Sequence, residues 1–316
     1  MSESGYNFIN YKYKYEELLE CESLDKLYKE LQQAFGSEFS DYEFILYASN
    51  GSANPAVPIV LTGNKKKILL YISDEEILAP YHLCKHFTAI FKWHIPSNYD
   101  RDSTLFPLPL VPNRGSKEFP TVPINERPTN VFFSGNLNGS RYPLYKRLTL
   151  LKFVPDFPAR IETLSAKILS IIIKSYFNTD LSHTFPDSYI KFTSGFAQGL
   201  DIATYSKKLF DSKIAICPKG FKSSETTRQF EAMRAGCVVI SEPLPEHYCY
   251  KGSPIIILDS WKDLKKTVNS LLSDPDRLHE LQQKTLAWWE HVCSERATAL
   301  YIRDTVKAIE YAKSPV

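Results

Sequence analysis

The feature of this sequence that most constrains its fold is an alternation of short apolar runs with helical patterns after residue 129. The runs that predict strands cover residues 130–134, 189–193, 213–217, 237–241 and 255–258. Helical spacing of apolar residues covers 143–154, 158–177, 201–209 and 224–235, and further helices are predicted from residue 263 onward. This alternation is typical of a doubly wound α/β domain, which binds ligands at the carboxyl ends of its strands.

The first third of the chain also predicts an α/β unit. Leucines at helical spacing indicate an amphipathic helix over residues 15–35, and Gly36 follows as a stop signal. Short apolar runs at 44–48, 68–73 and 88–94 predict strands. Because these runs are apolar throughout rather than alternating, they favour a parallel sheet that is covered on both faces.

A proline-rich stretch between residues 96 and 128 separates the two patterns. Repeated prolines prevent a helix from continuing there, so this stretch is the predicted domain boundary. We predict one Rossmann-like domain over 1–125, which includes the connector, and a second over 126–316. A ligand would bind in a central cleft between them, and the last helix can pack back on the first domain.

The composition of the chain indicates the cellular environment of the protein and excludes one class of binding partner. The 38 basic and 36 acidic residues give a net charge of +2, which excludes a strong overall attraction to nucleic acid. The six cysteines form no CxxC pair, and several lie in apolar runs, which indicates a reducing compartment. No run approaches the roughly 20 apolar residues of a membrane span. We therefore expect a cytoplasmic protein, with peripheral membrane contact as its closest association with a bilayer.

The segment CPKGFKSSETTRQFEAMRAGCVVIS, at 217–241, carries the strongest functional pattern. A strand is predicted to end before Lys219, and a helix to begin near Ser224. Free backbone N–H groups, the helix dipole and the Lys219 ammonium would then form an anion site. Arg228 lies one turn further and can bind a phosphate in bidentate fashion. Glu231 follows on the same face, where a ribose diol is a suitable hydrogen-bond donor to its carboxylate.

A second anion-binding turn is predicted in VFFSGNLNGSRYPLYKRL, at 131–148. Gly135 and Asn136 follow a strand in a glycine turn that lets the backbone approach a ligand, and Arg141 comes at the start of the next helix. Turns after different strands of a doubly wound sheet converge on one crevice. Two such turns indicate a nucleoside diphosphate.

These two segments resemble motifs of the exostosin-like branch of the GT-B glycosyltransferases, and the resemblance covers about residues 130–260. It implies two Rossmann-like domains that face a cleft, with a nucleotide-sugar as co-substrate and no metal or other cofactor. It also implies that Glu231 binds the ribose and that Arg228 helps to hold the diphosphate. Lys219 and Arg141 would stabilise the leaving diphosphate in place of a divalent cation.

An inverting enzyme of this kind also needs a base for the acceptor hydroxyl. Asp74 and Glu75 follow a predicted strand of the first domain and are the candidate catalytic residues. The alternative for both is a structural role at the start of the next helix, as cap or first-turn charge. His247 follows the strand that adjoins the donor motif and is a candidate sugar contact.

The sequence therefore predicts a glycosyltransferase that moves a sugar from a nucleotide-sugar, with a UDP-sugar as the expected donor, to a glycan or glycolipid. Bacterial surface polysaccharide synthesis at the inner membrane face is the expected setting. Two alternatives stay open. The protein could be a catalytically inactive subunit that binds nucleotide-sugar or glycan, or its donor could be a CMP-sugar or a phosphoribosyl compound.

Overall fold

The computed structural model describes residues 5–10, 14–48, 61–72, 75, 77–101, 103–113, 115–153, 179–195 and 198–313. The chain divides into two compact units. Unit 1 consists of residues 1–114, 245–251 and 290–316, and unit 2 consists of residues 115–244 and 252–289. The chain therefore returns to unit 1 twice after it has entered unit 2.

Unit 1 contains a parallel sheet in which the strands follow one another in chain order. The strands are β1 (Asn7–Ile9), β2 (Tyr42–Ala48), β3 (Lys66–Ile72), β4 (Ala89–Lys92) and β5 (Leu105–Pro107). The helices of this unit are α1 (Cys21–Phe35), α2 (Tyr81–Cys84) and α8 (Glu295–Lys313). Helix α1 packs on α8, so the end of the described chain completes unit 1.

Unit 2 contains a mixed sheet that is parallel except at one edge. Its strands are β6 (Thr129–Asn136), β7 (Thr179–Asp180), β8 (Tyr189–Thr193), β9 (Ser212–Cys217), β10 (Val238–Ser241) and β11 (Ile256–Ile257). Only β7 is antiparallel among these strands. The helices are α3 (Tyr142–Leu148), α4 (Ile202–Phe210), α5 (Thr227–Arg234), α6 (Leu264–Leu272) and α7 (Pro275–Trp288).

The strand order of unit 2 creates a switch point. The order is β11-β10-β9-β6-β8-β7, so the chain moves from β6 to β8 on one side and then returns to place β9 on the other side. In such a sheet a crevice opens outside the carboxyl ends of the two strands where the order reverses. The loops that follow β6 and β9 flank this crevice.

The predicted α/β class is confirmed in both units. The ends of all eight predicted strands lie within two residues of their expected positions. The burial of β2 and β3 explains their uninterrupted apolar runs, since Ile45, Leu46, Leu69 and Leu70 are fully buried. The helix predicted over 158–177 lies outside the described residues.

Several predictions about the elements were incomplete or wrong. Strands β1 and β7 were not predicted, because two or three residues are too few to form a pattern. The helix predicted over 143–154 ends at Leu148, and a 3₁₀ turn follows it. Strand β5 lies inside the proline-rich stretch, where it pairs with β4 at the sheet edge and ends on Pro107. An edge strand tolerates a proline because one of its sides needs no ladder hydrogen bond. The first helix begins at Cys21, and a 3₁₀ turn at Tyr15–Glu17 precedes it.

A buried arginine joins several segments at the amino ends of the unit 2 strands. The Arg127 guanidinium donates to the backbone carbonyls of Ser212 at 2.7 Å, Ala235 at 2.7 Å and Val122 at 3.2 Å. These bonds tie the starts of β9 and β10 to the segment that enters β6. A buried charge that satisfies three carbonyls stabilises this end of the sheet, which is opposite the crevice.

Among the described residues, no helix is both long and apolar enough to pass through a bilayer.

Removal of the Arg127 side chain should destabilise unit 2 strongly. Arg127→Ala removes the guanidinium donors of the Ala235, Ser212 and Val122 carbonyls. The Ser212 and Val122 carbonyls also accept from Cys237 and Gln282, so the largest loss is at the buried Ala235 carbonyl. We expect the free energy of unfolding to fall by about 3 kcal/mol. Arg277→Ala is the matched control because Arg277 is exposed and, within the described residues, forms its ion pair with Glu280 on the same helix. The loss in this variant should stay below about 0.5 kcal/mol. Urea unfolding followed by circular dichroism measures the free energy of unfolding of both variants. Equal losses in Arg127→Ala and Arg277→Ala would contradict the structural role of Arg127.

Candidate functional site

The two predicted anion-binding loops of unit 2 are in direct contact. The Arg141 side chain, after β6, donates from Nε to the carbonyl of Lys219, after β9, at 3.2 Å. The Ser140 hydroxyl donates to the carbonyl of Phe221 at 2.9 Å. The structure therefore brings the two motifs together at the carboxyl ends of β6 and β9, as the sequence predicts.

Gly135 lies inside strand β6, not in the turn that was predicted for it. Two guanidinium groups pack against its α carbon. A Cβ atom at this position would lie 2.6 Å from Arg228 Nη2, which is too short for a real contact, and 3.1 Å from Arg141 Nη1, which is tight. Glycine is needed here because the arginines approach the strand backbone, whereas Gly139 has no atom within 4 Å of such a Cβ.

The Arg228 side chain reaches from α5 across the switch point to β6. Its Nη2 donates to the Ser134 carbonyl at 3.1 Å, and its guanidinium carbon lies 5.6 Å from the centre of the Phe133 ring. This is its only hydrogen bond within the described part of the chain, and its Nε is shielded from solvent without an acceptor. A guanidinium carries five N–H donors. Most of the donors of Arg228 are thus left for an anion.

Arg141 is buried and makes several contacts with protein. Besides the bond to Lys219, its Nη1 donates to the backbone carbonyl of Asn136 at 2.9 Å and to the Asn136 side-chain oxygen. Arg141 and Asn136 were both predicted as donor-binding residues. The structure places them beside Gly135, where they fix the conformation of the loop after β6.

The helix after β9 begins later than predicted. Helix α5 starts at Thr227 with Thr226 as N-cap, because Thr226 and Gln229 form a capping box. The predicted start near Ser224 was therefore three residues too early. The backbone carbonyl of Ser224 accepts a hydrogen bond from the Gln229 side chain at 2.9 Å.

Two backbone N–H groups of the loop after β9, which were predicted to be free, are bonded within the protein. The Lys219 N–H donates to the Glu242 carboxylate at 2.7 Å, and the Gly220 N–H donates to the Ser223 carbonyl at 2.9 Å. These two N–H groups are therefore not available to an anion, whereas the Arg228 side chain and the half-buried Lys219 lie beside this loop. Glu242 was missed because its contact depends on the pairing of β9 with β10.

Glu231 is buried on the face of α5 that also carries Arg228, and it is 4% exposed. The Tyr205 hydroxyl, from α4, donates a hydrogen bond to its carboxylate. Burial, together with the nearby Glu231 charge, raises the pKa of Tyr205 well above its usual value, while Arg228 lowers it. The sequence carried no signal for Tyr205, which lies on a helix outside both motifs.

The other predicted site residues belong to unit 1. Glu75 is exposed after β3, and Asp74 lies outside the described residues. His247 belongs to the segment 245–251 that returns to unit 1, and it is buried with its ring 6.2 Å from that of Tyr99 in an edge-on arrangement. The seven remaining predicted residues all lie in unit 2.

A search of the described residues finds no group of three or more His, Cys, Asp or Glu side chains suited to a metal ion. Chemically, the edge of unit 2 offers two guanidinium groups, an ammonium group and a buried carboxylate. Such a set favours an oxyanion that also carries a hydroxyl donor.

No protein-family model matches this chain, and no curated protein matches it. Solved structures do resemble it. Sucrose-phosphate synthase from Thermosynechococcus elongatus has 11% identity and a TM-score of 0.44, over 96% of this chain and 81% of that chain. HepE from Anabaena in complex with UDP has 10% identity and a TM-score of 0.45, over 77% of this chain and 72% of that chain. MurG from Acinetobacter baumannii has 12% identity and a TM-score of 0.39, over 90% and 78%. The α/β class of this chain rests on its own strand pairing.

A methyl group at position 135 should weaken anion binding without unfolding the protein. Gly135→Ala pushes the Arg228 guanidinium away from β6, and this flexible group can move at little cost in stability. We expect about tenfold weaker binding of inorganic pyrophosphate, measured by calorimetry. Gly139→Ala is the matched control and should bind as the wild type does. Equal affinity in Gly135→Ala and Gly139→Ala would show that the close packing at Gly135 does not serve binding.

Proposed function

We propose that this protein is a GT-B glycosyltransferase that transfers a sugar from a nucleotide-sugar, preferably a UDP-sugar, to a glycan or glycolipid. The observation that carries the proposal is the position of the Arg228 guanidinium. It lies at the switch point of unit 2 with most of its donors unused. Diphosphates bind at this place in doubly wound sheets, and arginine is well suited to bind them in bidentate fashion.

The donor diphosphate would lie against Arg228 and Lys219, with Arg141 holding the loop that carries Gly135. Positive side chains then take the place of a divalent cation and stabilise the charge that develops on the leaving group. Because these side chains can compensate the developing charge, the proposed mechanism needs no metal ion.

Glu231 would bind the ribose. A carboxylate offers about four lone-pair positions, so the bond from Tyr205 leaves acceptor capacity for a ribose hydroxyl. The Tyr205 bond also holds the carboxylate in one orientation, which reduces the entropy lost when the nucleotide binds. The same contact accepts any ribonucleotide, so the preference for uridine rests on the exostosin-like resemblance.

The transfer step breaks the bond between the anomeric carbon and the phosphate oxygen, and the electron pair stays on the diphosphate. A new bond forms from the acceptor hydroxyl oxygen to the anomeric carbon. In an inverting reaction Asp74 or Glu75 would take the hydroxyl proton, and His247 would contact the sugar. We place the reaction in bacterial surface polysaccharide synthesis, in the cytoplasm at the inner membrane face.

A thermal-shift panel tests the donor class. The ligands are UDP, GDP, CMP, ADP and phosphoribosyl pyrophosphate, each with and without Mg²⁺. We expect UDP at about a hundred times its Kd to stabilise the wild type by about 2.7 kcal/mol, with no need for Mg²⁺. Arg228→Ala should remove the shift, whereas the control Arg277→Ala should retain it.

Several outcomes of this panel are informative. A shift with CMP or phosphoribosyl pyrophosphate alone would replace the UDP-sugar by another activated sugar. A full UDP shift in Arg228→Ala would contradict the placement of the diphosphate. If none of these ligands stabilises the wild type, the proposed function is wrong.

Substitution of the candidate bases separates an enzyme from a binding subunit. Asp74→Asn and Glu75→Gln should leave the affinity for UDP unchanged, because both residues belong to unit 1. The variant that removes the true base should lower the rate of UDP release from the donor in the presence of acceptor by about a hundredfold or more. Binding of UDP without turnover by the wild type, for any sugar and acceptor, would favour the binding subunit.

A further inference from the structure

We propose that Asn138 is an additional contact of the donor, which donates from its side-chain amide nitrogen to a phosphate oxygen. This inference rests on the proposed function, because it names a specificity residue within the same site. Asn138 is the second residue after β6 and was not among the residues predicted from the sequence.

The amide oxygen of Asn138 already accepts a hydrogen bond within the protein. Asn138 caps the short 3₁₀ turn Gly139–Arg141, and its Oδ1 accepts a hydrogen bond from the Arg141 backbone N–H at 3.0 Å. This bond determines the orientation of the amide, because the reverse orientation would place two donors against each other. The amide nitrogen must therefore face away from the turn.

The amide nitrogen has no acceptor. Asn138 is 7% exposed, its Nδ2 is shielded from solvent, and no partner for this atom exists among the residues that the structure describes. Buried polar groups are nearly always hydrogen-bonded, so a buried donor without an acceptor requires an explanation. A ligand that supplies the missing acceptor is one.

The surroundings of Asn138 show which ligand would fit. The Arg141 side chain returns from the capped turn to Asn136 and Gly135, where it lies beside Arg228. Arg228 Nε, at the same edge of the sheet, is a second shielded donor for which the described residues provide no acceptor. The Asn138 amide and the guanidinium groups of Arg228 and Arg141 complement an anion with several acceptor oxygens. A phosphate group provides them, whereas a cation would be repelled.

Entry of the phosphate requires the loops after β6 and β9 to separate slightly, because both donors are shielded. The bonds from Ser140 to Phe221 and from Arg141 to Lys219 join these loops and would have to adjust. The bound phosphate would then receive donors from both sides of the switch point. Asn138 would supply the neutral donor on the β6 side, and Arg228 the charged donor from α5.

Asn138→Asp tests the contact directly. Aspartate keeps the capping oxygen, so the 3₁₀ turn should persist, but it replaces the N–H₂ donor by a second acceptor with negative charge. Asn138→Ser is a second variant that also caps the turn and lacks the amide donor. Asn130→Asp is the matched control. It changes the net charge equally, and Asn130 lies at the opposite end of β6, where its half-buried side chain donates to the Pro186 carbonyl.

Calorimetry with UDP, inorganic pyrophosphate and uridine gives the readout. We expect both Asn138 variants to bind UDP and pyrophosphate at least about tenfold more weakly than the wild type, as is usual for a lost hydrogen bond to a charged group. Uridine affinity should not change, because uridine carries no phosphate. Asn130→Asp should match the wild type for all three ligands.

The inference about Asn138 and the proposed function fail in different ways. If the Asn138 variants bind UDP and pyrophosphate normally while Arg228→Ala does not, the inference is overturned and the proposed function stands. Equal loss in Asn130→Asp, or equal loss of uridine affinity, would also overturn the inference. If the wild type binds pyrophosphate through Asn138 but no nucleotide, the proposed function falls and Asn138 stands as an anion contact. If the wild type binds neither, both fall.

Discussion

The packing of the Arg228 guanidinium against the backbone of Gly135 is the interaction on which the rest of the candidate site depends. Helix α5 follows β9, whereas Gly135 belongs to β6, so this contact spans the point where the strand order reverses. A glycine permits this contact, because a side chain at position 135 would displace the guanidinium from the strand. The bond to Ser134 and the face of the Phe133 ring then hold the charge at the sheet edge.

Basic residues are concentrated around this contact although the net charge of the chain is small. The whole chain carries only +2, yet Arg141, Arg228 and Lys219 lie at one edge of unit 2. Two carboxylates at this edge accept hydrogen bonds from the protein: Glu242 accepts the Lys219 N–H and Glu231 accepts the Tyr205 hydroxyl. These bonds orient the two carboxylates beside the basic side chains that we propose as the anion site. At the far end of the strands, Arg127 is saturated by carbonyls and has a structural role.

The sequence was sufficient to predict features that depend on local patterns. Apolar runs located the strands, and their alternation with helices placed the loops after β6 and β9 on one crevice, where Arg141 and Lys219 are indeed in contact. Predictions failed where the conformation of a residue depends on a contact with a residue further along the chain. The helix N-cap is Thr226 because Gln229 completes a capping box with it, and Gly135 stays in the strand because it pairs with Phe192 of β8. Tyr205 and Asn138 could not be found from spacing, since their importance depends on contacts that only the folded chain creates. The residues predicted in unit 1 stay predictions.

A crystal structure of the protein with UDP is the most direct measurement of the central claim. The account predicts that the diphosphate lies at the carboxyl ends of β6 and β9, with a phosphate oxygen within hydrogen-bond distance of the Arg228 guanidinium and a ribose hydroxyl at Glu231. A nucleotide bound at another place, or bound here with its phosphates directed away from Arg228, would contradict the account.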